Sequence, residues 1–199
     1  MNMPKVTTQN NPRVKLEPNV GKIVAAICYV IAQAQKRGQM LTQYDIVKTL
    51  FLADKKHLND YGRPVTFDNY CAMIHGPVPS LAYDLLKENA KAIEKTNLKK
   101  LPWIRKKGEG SKYLYSLAKV GCSEESLSPS DKDALSGALT TIKSLTFPQV
   151  RQLTHNDQAY IQAWSDEGES KSYPMDLALL FETPNPEAAK TLSFLSRHQ

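Results

Sequence analysis

Four histidines (His57, His75, His155, His198) and three cysteines (Cys28, Cys71, Cys122) are the residues of this 199-residue chain best suited to metal ligation or nucleophilic chemistry. They lack the paired spacing that zinc sites use, so no metal is expected, and no cofactor motif stands out. Cys71 and His75 come nearest to a nucleophile and its base, just before Gly76. No third group is evident to orient that histidine, and a buried cysteine is ordinarily inert packing. Gly108-Glu109-Gly110-Ser111-Lys112 has the flavour of a phosphate loop, but it lacks the four-residue gap between glycines and the Gly-Lys-Ser/Thr ending. There is no Gly-x-Ser-x-Gly elbow, and no carboxylate pair stands out from ordinary helix-surface charge. The residues therefore predict a binding module rather than an enzyme.

Charge points the same way. The net charge is +6 and it is concentrated: Leu85 to Lys119 holds ten cations against three anions, a local +7, while the remainder sums to −1. Such a patch attracts DNA, RNA or an acidic protein surface without choosing among them. Hydrophobic residues make up 41% and charged residues 23%, as in ordinary globular domains. The longest apolar run, Ile23 to Ala32, is ten residues, about half of what a membrane-crossing helix requires. The first 18 residues carry no apolar stretch of the secretory kind, and three cysteines without a Cys-x-x-Cys pair argue against a disulfide framework. Both features make a reducing cytoplasm the expected location, with no membrane partner.

The elements that would position these residues are mostly helical. Residues 1–18, polar and with three prolines, read as a flexible leader. Asn19 caps a helix whose apolar positions from Val20 to Ala34 recur at the helical period and place Cys28 in the core, and Gly38 stops it. Thr42 caps a second helix, with Asp45 three residues on, and Gly62 and Pro64 end it. Val65 to Val78 alternates poorly and closes on Gly76-Pro77-Val78-Pro79, which forbids helix and reads as a rigid connector. A third helix begins near Ser80 and buries Leu81, Leu85 and Leu86. Trp103–Lys106 and Lys112–Leu117 around Gly108-Glu109-Gly110 predict a hairpin. Ser128-Pro129-Ser130-Asp131 is a strong helix start. One helical segment follows around Val150–Trp164, and a last helix near Glu187–Leu195. The predicted class is mainly α: a compact helical domain with a small β-hairpin, α+β by content.

Within this frame one stretch is specific. Tyr44 to Asp54, then His57-Leu58, then Tyr61-Gly62-Arg63-Pro64-Val65, closely resembles the opening of the Panacea domain, also called the SocA-like antitoxin domain. Tyr70 and Ala72, His75-Gly76-Pro77-Val78-Pro79, Tyr83-Asp84 and Leu86-Lys87 continue the pattern. The resemblance implies a domain over residues 19–164, with residues 165–199 a C-terminal extension bearing a short helix. It also implies an antitoxin of a two-gene pair, often borne by phages or mobile elements, that neutralises a cognate protein toxin by direct binding without catalysis. One branch of the family instead delivers its toxin to a bacterial protease as an adaptor. Outside the family reading, the basic 85–119 segment suits a DNA-binding regulator using the hairpin against phosphates.

Several motif residues read most simply as scaffold. Gly62, Pro64, Gly76, Pro77 and Pro79 set backbone, and Arg63 pairs with Asp84 or Asp54 or bonds helix-end carbonyls. Tyr61, Tyr70 and Tyr83 either pack with their hydroxyls bonded or present a rim to a partner. Toxin contact is expected on the hairpin, at Trp103, Arg105, Lys106, Lys107, Tyr113 and Tyr115, which offer charge for steering and aromatics for anchoring. Strand alternation puts Trp103 and Arg105 on one face and Ile104 and Lys106 on the other. The cations favour an acidic toxin surface. The alternative location is the exposed faces of the helices flanking Gly76–Pro79.

Overall fold

The computed structural model describes residues 13–119, 121–166 and 168–198. Eight helices and two three-stranded antiparallel sheets lie among them, the helix-dominated α+β class that the pattern predicts. Helix α1 (Val20–Lys36) is capped by the Asn19 side chain, which accepts from the Lys22 amide. Helix α2 (Gln43–Tyr61) opens on a complete Thr42/Asp45 capping box and closes on Gly62 at φ 74°, a left-handed conformation that glycine adopts without Cβ strain. Helix α3 (Ser80–Leu86) is followed by the short α4 (Ala90–Glu94). Helix α5 (Pro129–Ser144) starts at the Ser128/Asp131 box with proline in its first turn.

Two hydrophobic clusters share α2. Its Ile46, Val47, Leu50 and Ala53 join α1, α3, α5 and the hairpin in one core. Its Phe51 and Leu58 join Phe67, Tyr70, Tyr160, Met175 and Leu192 in the other. The hairpin β4 (Trp103–Lys107) and β5 (Tyr113–Leu117) forms with Trp103 opposite Leu117 and Arg105 opposite Tyr115, and the two-residue β1 (Leu41–Thr42) extends it in the order β1-β5-β4.

Five expectations change. The stretch before Ser80 is no mere connector: β2 (Tyr70–Met73) pairs with β3 (Gly76–Pro79), and β6 (Tyr173–Pro174) flanks β2 on its other side. Pro77 and Pro79 exclude helix as argued, but they occupy alternate positions of an edge strand, where a missing N–H is tolerated and Gly76 and Val78 keep theirs. The single helical segment expected around Val150–Trp164 is two helices, α6 (Phe147–His155) and α7 (Gln158–Ala163), because Asp157 accepts from the Ala159 and Tyr160 amides and starts a new turn.

The expected flexible leader falls partly outside the described residues, which begin at residue 13. Its last part is held: Leu16 is buried, Leu16 and Asn69 exchange two hydrogen bonds, and the Glu17 amide donates to Ser196 on the last helix, α8 (Pro186–Ser196). Cys28 is in the core as expected, but it is bonded to Cys122 across 94 residues of sequence, leaving Cys71 as the free thiol. Counting and spacing of cysteines could not reveal a pair made by tertiary packing of α1 against the segment before α5. Finally, Arg63 pairs with neither Asp84 nor Asp54 but with Asp131 on α5, at 3.0 Å.

Candidate partner-binding cleft

The motif's charged residues turn inward. Asp54, on the buried side of α2, accepts from the Val65 and Thr66 amides at 2.9 and 3.0 Å, from the Tyr70 hydroxyl at 2.8 Å and from the Thr66 hydroxyl. Asp68 beside it accepts from the Leu81 and Ala82 amides and so caps α3, whose own N-cap residue Pro79 has no side-chain donor or acceptor to offer. Burial pushes both carboxyls up, Asp54 to about 6 and Asp68 to about 7, against the pull of these donors.

His57, Arg63 and Asp131 form a second closed network. Asp131 receives Lys22 at 2.7 Å and Arg63 at 3.0 Å as well as the Ser128 amide. Burial disfavours its charge, but these donors outweigh that and hold the carboxyl below its ordinary value. His57 Nδ1 lies 2.7 Å from the Arg63 carbonyl and donates to it, which leaves Nε2 to accept from the Ser130 hydroxyl at 3.0 Å. The pair has the outline of a base and a nucleophile. His57, however, is fully buried, with burial lowering its pKa, and Ser130 is shared with Ser128 at 3.0 Å. What the network does is tie α1, α2 and α5 together. Tyr70 is internal, Tyr61 is exposed and lies against His57, Tyr83 is half-buried beneath Lys87, and Asp84 is exposed.

The hairpin divides as strand alternation predicts, with consequences for the expected contact set. Trp103 and Tyr115 are 4% and 1% exposed, and the Tyr115 hydroxyl donates to the Leu86 carbonyl at 2.7 Å. They anchor the hairpin to the core and offer no surface. Arg105 stacks on Tyr113 at 3.6 Å and faces Glu88 at 3.6 Å. Lys106 and Lys107 are exposed. Of the six residues expected at the contact, Trp103 and Tyr115 are buried, Arg105 and Tyr113 half-buried, and Lys106 and Lys107 exposed.

Near the hairpin's tip the exposed Phe147 gathers with the half-buried Tyr44 and Tyr113. Lys112 and Tyr113, the start of α2 (Gln43, Tyr44, Asp45), His75 and the α5–α6 junction enclose a cleft of about 460 Å³. Phe147 at its mouth is 50% exposed, packs against Tyr44 at 4.8 Å and meets His75 edge-on at 5.7 Å. Ile142, Leu145 and Val150 line its apolar side. The wall carries polar atoms without a hydrogen-bond partner among the described residues: Gln43 Nε2 and the Tyr44 hydroxyl, with His155 Nε2 nearby on α6. Desolvation, reinforced by Asp45, pushes Tyr44 up to about 12.

Behind this wall stands Lys48. It is 1% exposed, donates to the Pro77 carbonyl at 2.7 Å and has no carboxylate partner among the described residues. Burial drives it down to about 7. Gly76 makes the room for it: at φ 97°, a Cβ there would come within 2.8 Å of Lys48 Nζ and 2.7 Å of Thr154 Oγ1. His155 feels desolvation and then the charges of Arg151, Lys48 and His75, all lowering its pKa. Sequence reasoning missed Lys48 and Phe147. The available signal was that Lys48 follows Tyr44 by four residues and precedes Phe51 by three, putting a cation on an aromatic stripe.

The family description "Antitoxin SocA-like, Panacea domain" matches residues 46–161, more than half of the chain and from the first turn of α2 into α7. The chain belongs to this antitoxin family. Membership implies a toxin as the partner in general terms. No curated protein and no solved structure matches the chain. No helix among the described residues is long and apolar enough to cross a membrane.

Proposed function

We propose that this Panacea-family chain neutralises a cognate protein toxin in the cytoplasm by binding it, without chemistry of its own. The observation that carries the reading is the family match over residues 46–161. The fate of three motif residues supports it: Asp54, His57 and Arg63 are spent on closed internal networks. Such residues hold a binding surface in shape rather than turn over a substrate.

Co-expression tests the reading. The product of the neighbouring gene is expected to arrest growth alone and to be harmless when this chain is made with it. A partner equally toxic with and without the chain contradicts the proposal. A pulse-chase separates blockade from delivery to a protease: blockade leaves the toxin's half-life unchanged, whereas an adaptor shortens it.

A further inference from the structure

The cleft at the start of α2 combines three properties that ordinary surface lacks. It is roomy enough, at about 460 Å³, to take a large side chain, and its volume lies in the range of ligand pockets. It holds buried polar atoms that nothing among the described residues satisfies: the Gln43 amide nitrogen, which is a donor only, and the Tyr44 hydroxyl. Native proteins rarely leave such groups unpaired, so their presence in a cleft wall points to an acceptor that arrives from outside.

The third property is charge. Lys112 and Lys143 line the cleft, and Arg151 acts electrostatically on Tyr44 in its wall and on His155 nearby. The one carboxylate lining it is Asp45, and that group is already engaged by the Thr42 amide at 2.8 Å, the Thr42 hydroxyl at 2.9 Å and Lys143 at 3.7 Å. The cleft is therefore positive at its rim, short of acceptors in its wall and apolar along Ile142, Val150 and Phe147.

We propose that this cleft is the toxin-docking site, and that it takes a toxin segment presenting one large apolar side chain flanked by carboxylates. The apolar side chain seats against Phe147 and the half-buried Leu145, and the carboxylates and adjoining backbone carbonyls meet Lys112, Arg151, Gln43 and Tyr44. Phe147 is the exposed aromatic anchor around which such an interface closes. RNA answers the charge but not the apolar wall, which would face a solvated phosphate backbone. The inference rests on the antitoxin reading and adds to it the location and chemistry of the contact.

The probe is the neighbouring gene's product, purified and also co-expressed. Phe147→Asp is the decisive variant. Phe147 is exposed and opens α6, where an acid suits the helix dipole, so the fold survives and circular dichroism checks that it does. Its affinity for the toxin is expected to fall at least about 30-fold, the loss typical of a hot-spot residue, with loss of growth rescue. Lys106→Glu/Lys107→Glu on the open hairpin face keeps rescue. Lys112→Glu/Arg151→Glu weakens binding, and an acid-to-lysine change in the toxin segment restores it. A photo-crosslinker at position 147 captures a toxin peptide containing Asp or Glu. A folded Phe147→Asp chain that rescues like wild type overturns the site while leaving the antitoxin reading intact, and a crosslink to RNA instead of toxin overturns the proposed chemistry. Failure of the wild-type chain to rescue overturns the antitoxin reading and this inference with it.

Discussion

Asp54 shows how little freedom a motif residue can have. Both its oxygens accept, from two amides and two hydroxyls, at a site only 2% exposed. Asp54→Asn replaces one acceptor with an NH2 group facing donors, and it is expected to cost about 2 to 4 kcal/mol, read as a lower urea midpoint at unchanged slope. Lys48 makes a prediction about pH. Its folded value of about 7 lies below its ordinary 10.5, so between these the unfolded chain holds a proton that the folded chain has shed. Stability contributed by this group therefore rises as pH increases from about 7 towards 10. Lys48→Met is expected to flatten that part of the stability profile, measured by paired denaturant melts of the two proteins at pH 7 and pH 9. A profile unchanged by the substitution would mean that Lys48 is not the titrating group. Neither behaviour was legible in the sequence: an aspartate and a lysine in a helix read as surface until the elements packing on them are known.

Helix caps and the glycine-turn hairpin were legible because their causes are local. Asn19, Thr42/Asp45 and Ser128/Asp131 each satisfy helix-end amides within three residues, and the structure keeps all three. The β2–β3 pair was not legible, since its prolines argue against an inner strand and its edge position depends on β6, about 100 residues away. Which face of β4–β5 is exposed was not legible for a related reason: alternation gives two faces, but only packing against α1 and α3 says which one is buried. At this scale Gly76→Ala is the sharpest test. A Cβ at that left-handed position collides with Lys48 and Thr154, so the variant is expected to lose about 1 to 3 kcal/mol through strain and displaced packing. A Gly62→Ala change at a similarly positive φ but with open space around it should cost less, about 1 kcal/mol.

As a whole the molecule is closed by its ends. Leu16, Met175, Leu177, Ala189 and Leu192 complete the second cluster around Phe51, Phe67 and Tyr70, which the family match alone would leave uncovered. Ending the chain at Trp164 is therefore expected to expose that cluster and lower the melting temperature by several degrees or cause aggregation, checked by calorimetry and light scattering. The Cys28–Cys122 bond adds a covalent tie between α1 and the segment before α5. Oxidised protein should show one reactive thiol, Cys71, under denaturing titration and three after reduction.

The central claim is that neutralisation is binding. It is tested most directly by titrating a fixed amount of purified neighbouring-gene product with this chain while following the toxin's activity. Direct binding predicts activity that falls linearly and ends at a stoichiometric equivalence point, with the two chains co-eluting as one complex. Complete inactivation by a small fraction of an equivalent would reveal chemistry, and full toxin activity beyond equivalence would contradict the account.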